Sequence, residues 1–287
     1  MAKIVPVAVV IPTFNRCDRL CHVLERILRC DPAPAEIWVH VDGADAHVAD
    51  EVRRRFSGVN VIGSRDRVGP GGGRHRCLLR CASPLAASFD DDSYPVDEDF
   101  FGSVVNLFES QPQAALIGAS IWRHGEADAN RRPTLDERRT FTGCGHALRV
   151  SAYREITGYA PRPIAYGVEE NDVALQLAAK GKKIYGSDDL RVFHDTDHKH
   201  HDGADITEFV VANAALLAFL RYPAWLWSLG ALQVASIVVH CLRVGRRRGV
   251  IAGLTRIPAD CRAYRRLRAP LPARAVVAQV WARRLLG

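Results

Sequence analysis

The sequence predicts an α/β protein built on a doubly wound, mostly parallel sheet, with a helical extension at its C-terminal end. Two observations carry this reading. Short β-branched apolar runs alternate with segments of helical spacing up to about residue 200, and such alternation implies parallel strands joined by helical crossovers. From about residue 205 the strand signals stop, and apolar and then basic helical segments replace them. Apolar residues make up 48% of the 287-residue chain and charged residues 25%. That balance excludes a disordered or low-complexity chain.

The elements follow in order. Val5–Ile11 is a buried strand ended by Pro12. Leu20, Val23, Leu24, Ile27 and Leu28 have helical spacing across 18–30. Pro32 and Pro34 break the chain before a strand over Ile37–Val41, which closes at Asp42-Gly43. A helix over 46–56 and a strand over Val59–Ile62 complete a βαβαβ run. Residues 63–73, GSRDRVGPGGG, read as a glycine-rich loop before a helix over 74–82. Leu85–Phe89 is a short apolar strand running into Asp90-Asp91-Asp92. A helix over 97–110, a strand over 114–121 and a polar, arginine-rich loop over 123–140 come next. A strand-helix segment over 141–158 leads to Tyr166-Gly167, a helix over 169–180, and strands over 183–185 and 190–193 that end at His194. The domain boundary is expected near residue 204, with 1–204 as one domain and 205–287 as a basic helical region.

Ligands of doubly wound sheets bind beyond the carboxyl ends of the strands, where Asn15, Asp42, the triplet and His194 all fall. An apolar strand ending in three carboxylates is costly unless a cation or solvent receives them. The triplet is therefore either a site for Mg²⁺ or Mn²⁺ or a solvated acidic turn. Asp42 is either a hydrogen-bond acceptor for a nucleotide or an Asp-Gly turn. GPGGGRHR, with Arg74 and Arg76 at the start of the next helix, suits anion binding or a flexible loop. It is neither a Walker loop nor a dinucleotide fingerprint. Glu169, Glu170 and Asp172 open a helix in GVEENDVALQL. They either cap its dipole or supply a general base. HDTDHKHH at 194–201 is a polar turn in which only His194 ends a strand.

Taken together and in order, these segments resemble the family 2 glycosyltransferases, which have the GT-A fold. The resemblance covers roughly residues 5–200. VAVVIPTFNR resembles the family's VxIPTYNR start, and IWVHVDGAD its VVDDGS segment, with Val41 where the family often has a second Asp. GGGRHR resembles the Gly-Ala-Arg-Asn stretch, FDDDSYP the DxD motif, EENDV the acidic pair of EDxDL, and VFH the strand whose His completes a metal site. The resemblance implies transfer from a nucleoside-diphosphate sugar to a hydroxyl of a glycan or lipid-linked acceptor, with inversion and with a divalent Mn²⁺ or Mg²⁺. It implies Glu170 as base, Asp92 and His194 with Asp90 as metal ligands, and Pro12, Thr13, Asn15, Asp42, Arg74, Asp90, Asp91 and Glu169 around the donor. It gives Asp91 no separate role. The rival classes are a nucleotidyltransferase of similar fold, which would carry a glycine-rich basic signature where PTFNR stands, and a lectin-like or nucleic-acid-binding module, which needs no base.

The formal net charge is +7, and it is unevenly spread. Residues 243–287 hold twelve arginines, and Asp260 is their one acid. Such a tail attracts anionic surfaces. Just before it, PAWLWSLGALQVASIVVHCL over 223–242 carries no charge and is about as long as a bilayer is thick. It reads as a buried core helix, a single span, or a helix lying in the interface. Paired Trp225 and Trp227 and the following arginines favour the last, with an anionic membrane surface and not nucleic acid as the partner. The eight cysteines form no CxxC pair, and the opening MAKIVPVAVVIP has no leader-like pattern. Both predict a reducing cytoplasm, with the chain peripheral on the cytoplasmic face of the inner membrane.

Overall fold

A computed structural model describes residues 3–125, 134–164, 166, 168–196 and 203–285. Residues 126–133 of the loop expected over 123–140, Gly167 and the turn residues Asp197–His201 lie outside the described residues, and within that expected loop Leu135–Arg138 forms a strand. The chain divides into two compact units, Met1–Pro163 with Gly181–Thr196, and Ile164–Lys180 with Asp197–Gly287.

The first unit holds, among the described residues, a nine-stranded sheet. Its strands are β1 (Ile4–Thr13), β2 (Ala33–Val41), β3 (Val59–Gly63), β4 (Leu85–Phe89), β5 (Ser93–Pro95), β6 (Ala114–Trp122), β7 (Leu135–Arg138), β8 (Gly145–Arg149) and β9 (Lys183–His194). The order is β3-β2-β1-β4-β8-β6-β9-β5, with β7 also paired to β9. β5, β7 and β8 run against the rest, so the sheet is mostly parallel, as predicted. Helices α1 (Cys17–Leu28), α2 (Ala46–Arg55), α3 (Gly69–Leu78), α4 (Phe100–Ser110) and the short α5 (Val150–Arg154) accompany it. α1 buries Leu20, Val23, Leu24 and Ile27, the apolar face its sequence spacing defines. They share one core with Val7, Val9 and Ile11 of β1 and with Phe89, Phe100 and Phe101.

Three local expectations differ from what forms. β2 starts at Ala33 and runs through Pro34, because Ile4 and Val5 pair with Ala33 and Pro34. Residues 183–194 form one strand and not two, with a pairing irregularity opposite Ala119 and Ser120. The glycine-rich segment becomes helical at Gly69, against its intrinsic propensity. Packing explains the last. A Cβ on Gly73 would lie 2.8 Å from His40 Nδ1 and 2.9 Å from Pro12 Cβ. Gly69, at φ +71°, would place one 1.8 Å from the Arg162 carbonyl oxygen. Here glycine permits close approach, not flexibility.

The second unit is helical, with α6 (Glu169–Ala179), α7 (Ala204–Arg221), α8 (Trp227–Arg243), α9 (Val250–Ala263) and α10 (Ala273–Leu285). Leu175 of α6 packs with Ala218, Tyr222, Leu226, Val276 and Val280. Asp172 of α6 is fully buried and ion-paired to the equally buried Arg221 at the end of α7, whose Nη2 donates to it at 2.9 Å. Asn213 Nδ2 donates to the carbonyls of Ile164 and Tyr166, fixing the chain that enters α6.

Candidate active site

β1 has β2 on one side and β4 on the other, so the chain reverses its winding direction between β1 and β4. A crevice at the carboxyl ends of such a pair is where doubly wound sheets bind ligands. Thr13 ends β1 and Asp90 follows β4. Across this point Thr13 Oγ1 donates to Asp91 Oδ2 at 2.8 Å. Asn15, two residues on, holds φ +55°, a conformation Asn tolerates better than most residues and one that concentrates at functional loops.

The three carboxylates take separate partners. Asp90 is ion-paired with Arg74. Asp91 and Asp92 share Arg16, whose Nη1 lies 3.1 Å from Asp91 Oδ1 and 2.8 Å from Asp92 Oδ2. Arg19 stands 3.6 Å from Asp92. Burial pushes the Asp91 carboxyl up to about 6, and the Asp92 charge adds to this while Arg16 opposes it. Burial pushes Asp92 the same way, yet the His194 hydrogen bond, with His194, Arg16 and Arg19 nearby, holds it below the usual range.

Strand pairing brings distant residues to the triplet. β5 pairs with β9 so that Ser93 faces His194, and His194 Nε2 lies 3.2 Å from Asp92 Oδ1. β4 pairs with β8 so that Phe89 faces Gly145, which sets Cys144 beside Asp90. Ser93 Oγ accepts from the Asp90 amide and donates to the Cys144 carbonyl, closing the turn. One donor atom each from Asp90, Cys144 and His194 lie within 4.8 Å of one another. His194 Nδ1 is buried without a hydrogen-bond partner. A carboxylate, an imidazole and a thiol with an orphaned buried nitrogen among them fit a divalent transition metal.

Arg74 lies inside α3 and not at its start as expected. It is 2% exposed, donating Nε to Ser88 Oγ and Nη2 to the Gly143 carbonyl as well as pairing with Asp90. Asp42 is also buried, and it accepts from Ser64 Oγ at 3.0 Å, Val68 N at 2.8 Å and Gly69 N at 2.9 Å. Of the amides expected to cradle an anion, that of Gly69 thus holds Asp42. Beside them the Arg67 guanidinium lies 3.9 Å over the Phe14 ring. Pro12, Thr13, Asn15, Asp42, Arg74, Asp90, Asp91, Asp92 and His194 all belong to the first unit. Glu169 and Glu170 open α6 in the second, Glu169 buried and Glu170 partly so. Sequence reasoning missed Arg16 and Cys144. Arg16 was within reach, as the last residue of PTFNR. Cys144 has no local signal, since only β4–β8 pairing places it.

A doubly wound sheet with an acidic triplet at its switch point and a histidine brought back by a later strand suits an anionic ligand held together with a divalent cation. The family model for glycosyl transferase family 2 matches residues 8–164, more than half of the chain. The protein belongs to that family, and it is a glycosyltransferase. Among solved structures it resembles the mannosyltransferase PcManGT from Pyrobaculum calidifontis in complex with GDP-Man and Mn²⁺, at 14% identity and a TM-score of 0.58, over 98% of this chain and 80% of that one. It also resembles GalNAc-T7 with UDP, GalNAc and Mn²⁺, at 13% identity and a TM-score of 0.58, over 76% of this chain and 48% of that one. The chain therefore spans about half of GalNAc-T7. These likenesses establish the GT-A fold. No curated protein sequence matches the chain.

Proposed function

We propose that the protein transfers a sugar, with inversion and in a metal-dependent reaction, from a nucleoside-diphosphate sugar to a hydroxyl of a glycan or lipid-linked acceptor. The observation that carries this is the donor set of Asp90, Cys144 and His194 at the end of β4, with Asp92 bonded to His194. Asp92, His194 and Asp90 would hold the cation, with Cys144 beside them. The cation is Mn²⁺ or Mg²⁺, ions suited to carboxylate ligands. When bound, the ion supplies charge neutralisation for the departing nucleoside diphosphate. Arg16 and Arg74 place fixed positive charge at the same carboxylates, preorganised for an anionic donor. Asn15 and Pro12 shape the turn beyond β1. Glu170 takes the proton from the acceptor hydroxyl as it attacks the anomeric carbon, and Glu169 lies beside it in the sequence.

The protein works as a peripheral membrane enzyme on the cytoplasmic face. Ala224–Arg243 is long and apolar enough to cross a membrane, and only 17% of its apolar window is buried. A core helix of a soluble protein would be mostly buried.

Two variants test the chemistry. Glu170→Gln should bind donor normally and lose transfer by about 10²–10⁴-fold; turnover like that of the parent would remove Glu170 from the role of base. Asp92→Asn should abolish the Mn²⁺-dependent part of donor binding in calorimetry. Unchanged Mn²⁺ dependence in that variant would overturn the metal assignment.

A further inference from the structure

We infer that the second unit carries a binding site for the phosphate of an anionic lipid headgroup, in the open cavity lined by Thr207, His240, Arg246, Arg247 and Arg248. The inference rests on the membrane association proposed above, and moves from a surface to a defined site.

The cavity measures about 970 Å³ and lies where α8 ends and the chain turns toward α9. Its shape depends on Gly249, which starts α9 at φ +89°; a Cβ there would lie 2.0 Å from the Ala204 carbonyl oxygen. Only glycine lets the turn lie so close to the beginning of α7. That contact holds three consecutive arginines across the first turn of an 18-residue helix, whose amides and dipole add to their positive potential. Glu208 and Asp260, the carboxylates of α7 and α9 that could offset them, both pair with Arg256 instead. Arg247 and Arg248 are both exposed, and so is Asp205 in the first turn of α7.

The surroundings favour a lipid over a soluble anion. Val244 lines the cavity and is 53% exposed. On α8, Leu232 is 61% exposed, and Trp225 just before the helix 71%; Ile251 on α9 is 77% exposed. Apolar surface next to a cationic cavity matches a bilayer, which offers acyl chains to one and phosphate to the other. A nucleic acid or free phosphate would satisfy the arginines and leave the helices in water.

The test is vesicle flotation of the full chain with phosphatidylcholine alone, or with phosphatidylcholine and phosphatidylglycerol, comparing the parent with Arg247→Gln/Arg248→Gln. Both arginines are exposed, and circular dichroism with donor binding checks that the variant folds. The parent should prefer the anionic vesicles, and the variant should bind them about 30-fold more weakly. Binding to pure phosphatidylcholine should be equal for both proteins. Equal binding of parent and variant to the anionic vesicles would overturn the site while leaving the membrane reading intact. Binding to neither vesicle would overturn the membrane reading itself. Inorganic phosphate or single-stranded DNA that stabilises the parent but not the variant in a thermal shift, without preference for anionic vesicles, would overturn the lipid assignment.

Discussion

At the scale of single residues, the interior of the first unit holds polar groups on strict terms. Asp91 is the member of the triplet to which sequence and resemblance give no separate role. It is held by Thr13 and Arg16, and so ties the loop after β4 to the end of β1. His40 differs, because both its ring nitrogens are buried without a hydrogen-bond partner. Burial lowers its basicity to about 4, with Arg76 and Arg80 acting the same way and Asp42 opposing. The ring is therefore neutral in the folded protein at neutral pH, while in the unfolded chain it takes up a proton near pH 6.5. The unfolded state binds more protons between these values, so stability falls as pH drops from about 6.5 to about 4. A shift of this size corresponds to roughly 3 kcal/mol. His40→Leu should flatten that slope in urea titrations at several pH values. A slope like that of the parent would show that other groups set it.

At the scale of elements, the sequence announces what is local and hides what pairing decides. β1 and β4 are legible as short apolar runs buried almost throughout, and α1 because its apolar spacing matches the face it buries. The helical start of α3 is not, since helix propensity argues against GPGGG and only its fit against His40 and Pro12 overrides this. The triplet and His194 stand at strand ends and could be picked out one by one. Their meeting depends on the Ser93–His194 register, which no short window encodes. The Asp172–Arg221 pair belongs to this hidden class too, joining residues 49 apart. It anchors the helix whose first residues include Glu170. Removing one partner of a buried pair costs about 3–5 kcal/mol, so Arg221→Met should unfold readily. Arg221→Lys keeps the charge and loses the fork that spans both carboxylate oxygens. With the donor assigned to the first unit and the base to Glu170, as proposed, it should remain folded, keep the KM for donor and lower kcat. A change in KM with kcat unmoved would sever this pair from the positioning of Glu170.

At the scale of the whole molecule, charge separates along the chain. Residues 243–287 carry twelve arginines against one aspartate. Beside the total of +7, the preceding 242 residues are therefore net −4. A uniformly basic protein would attract any polyanion. Here the excess follows the apolar helix directly, while the first unit pairs arginines with its acidic triplet, Arg74 buried and Arg16 half-exposed. Salt distinguishes the two populations. Exposed charges are screened within about 10 Å at 0.1 M salt and about 3 Å at 1 M, while buried pairs are screened much less. Partition to anionic vesicles should therefore fall steeply across a salt series. Hydrolysis of the sugar nucleotide in solution, which we assign to the triplet and the buried Arg74, should change far less. A parallel decline of both would mean that the basic tail serves the donor and not the membrane. A decline of vesicle binding alone would assign attraction to the membrane to the C-terminal arginines and chemistry to the switch point of the sheet.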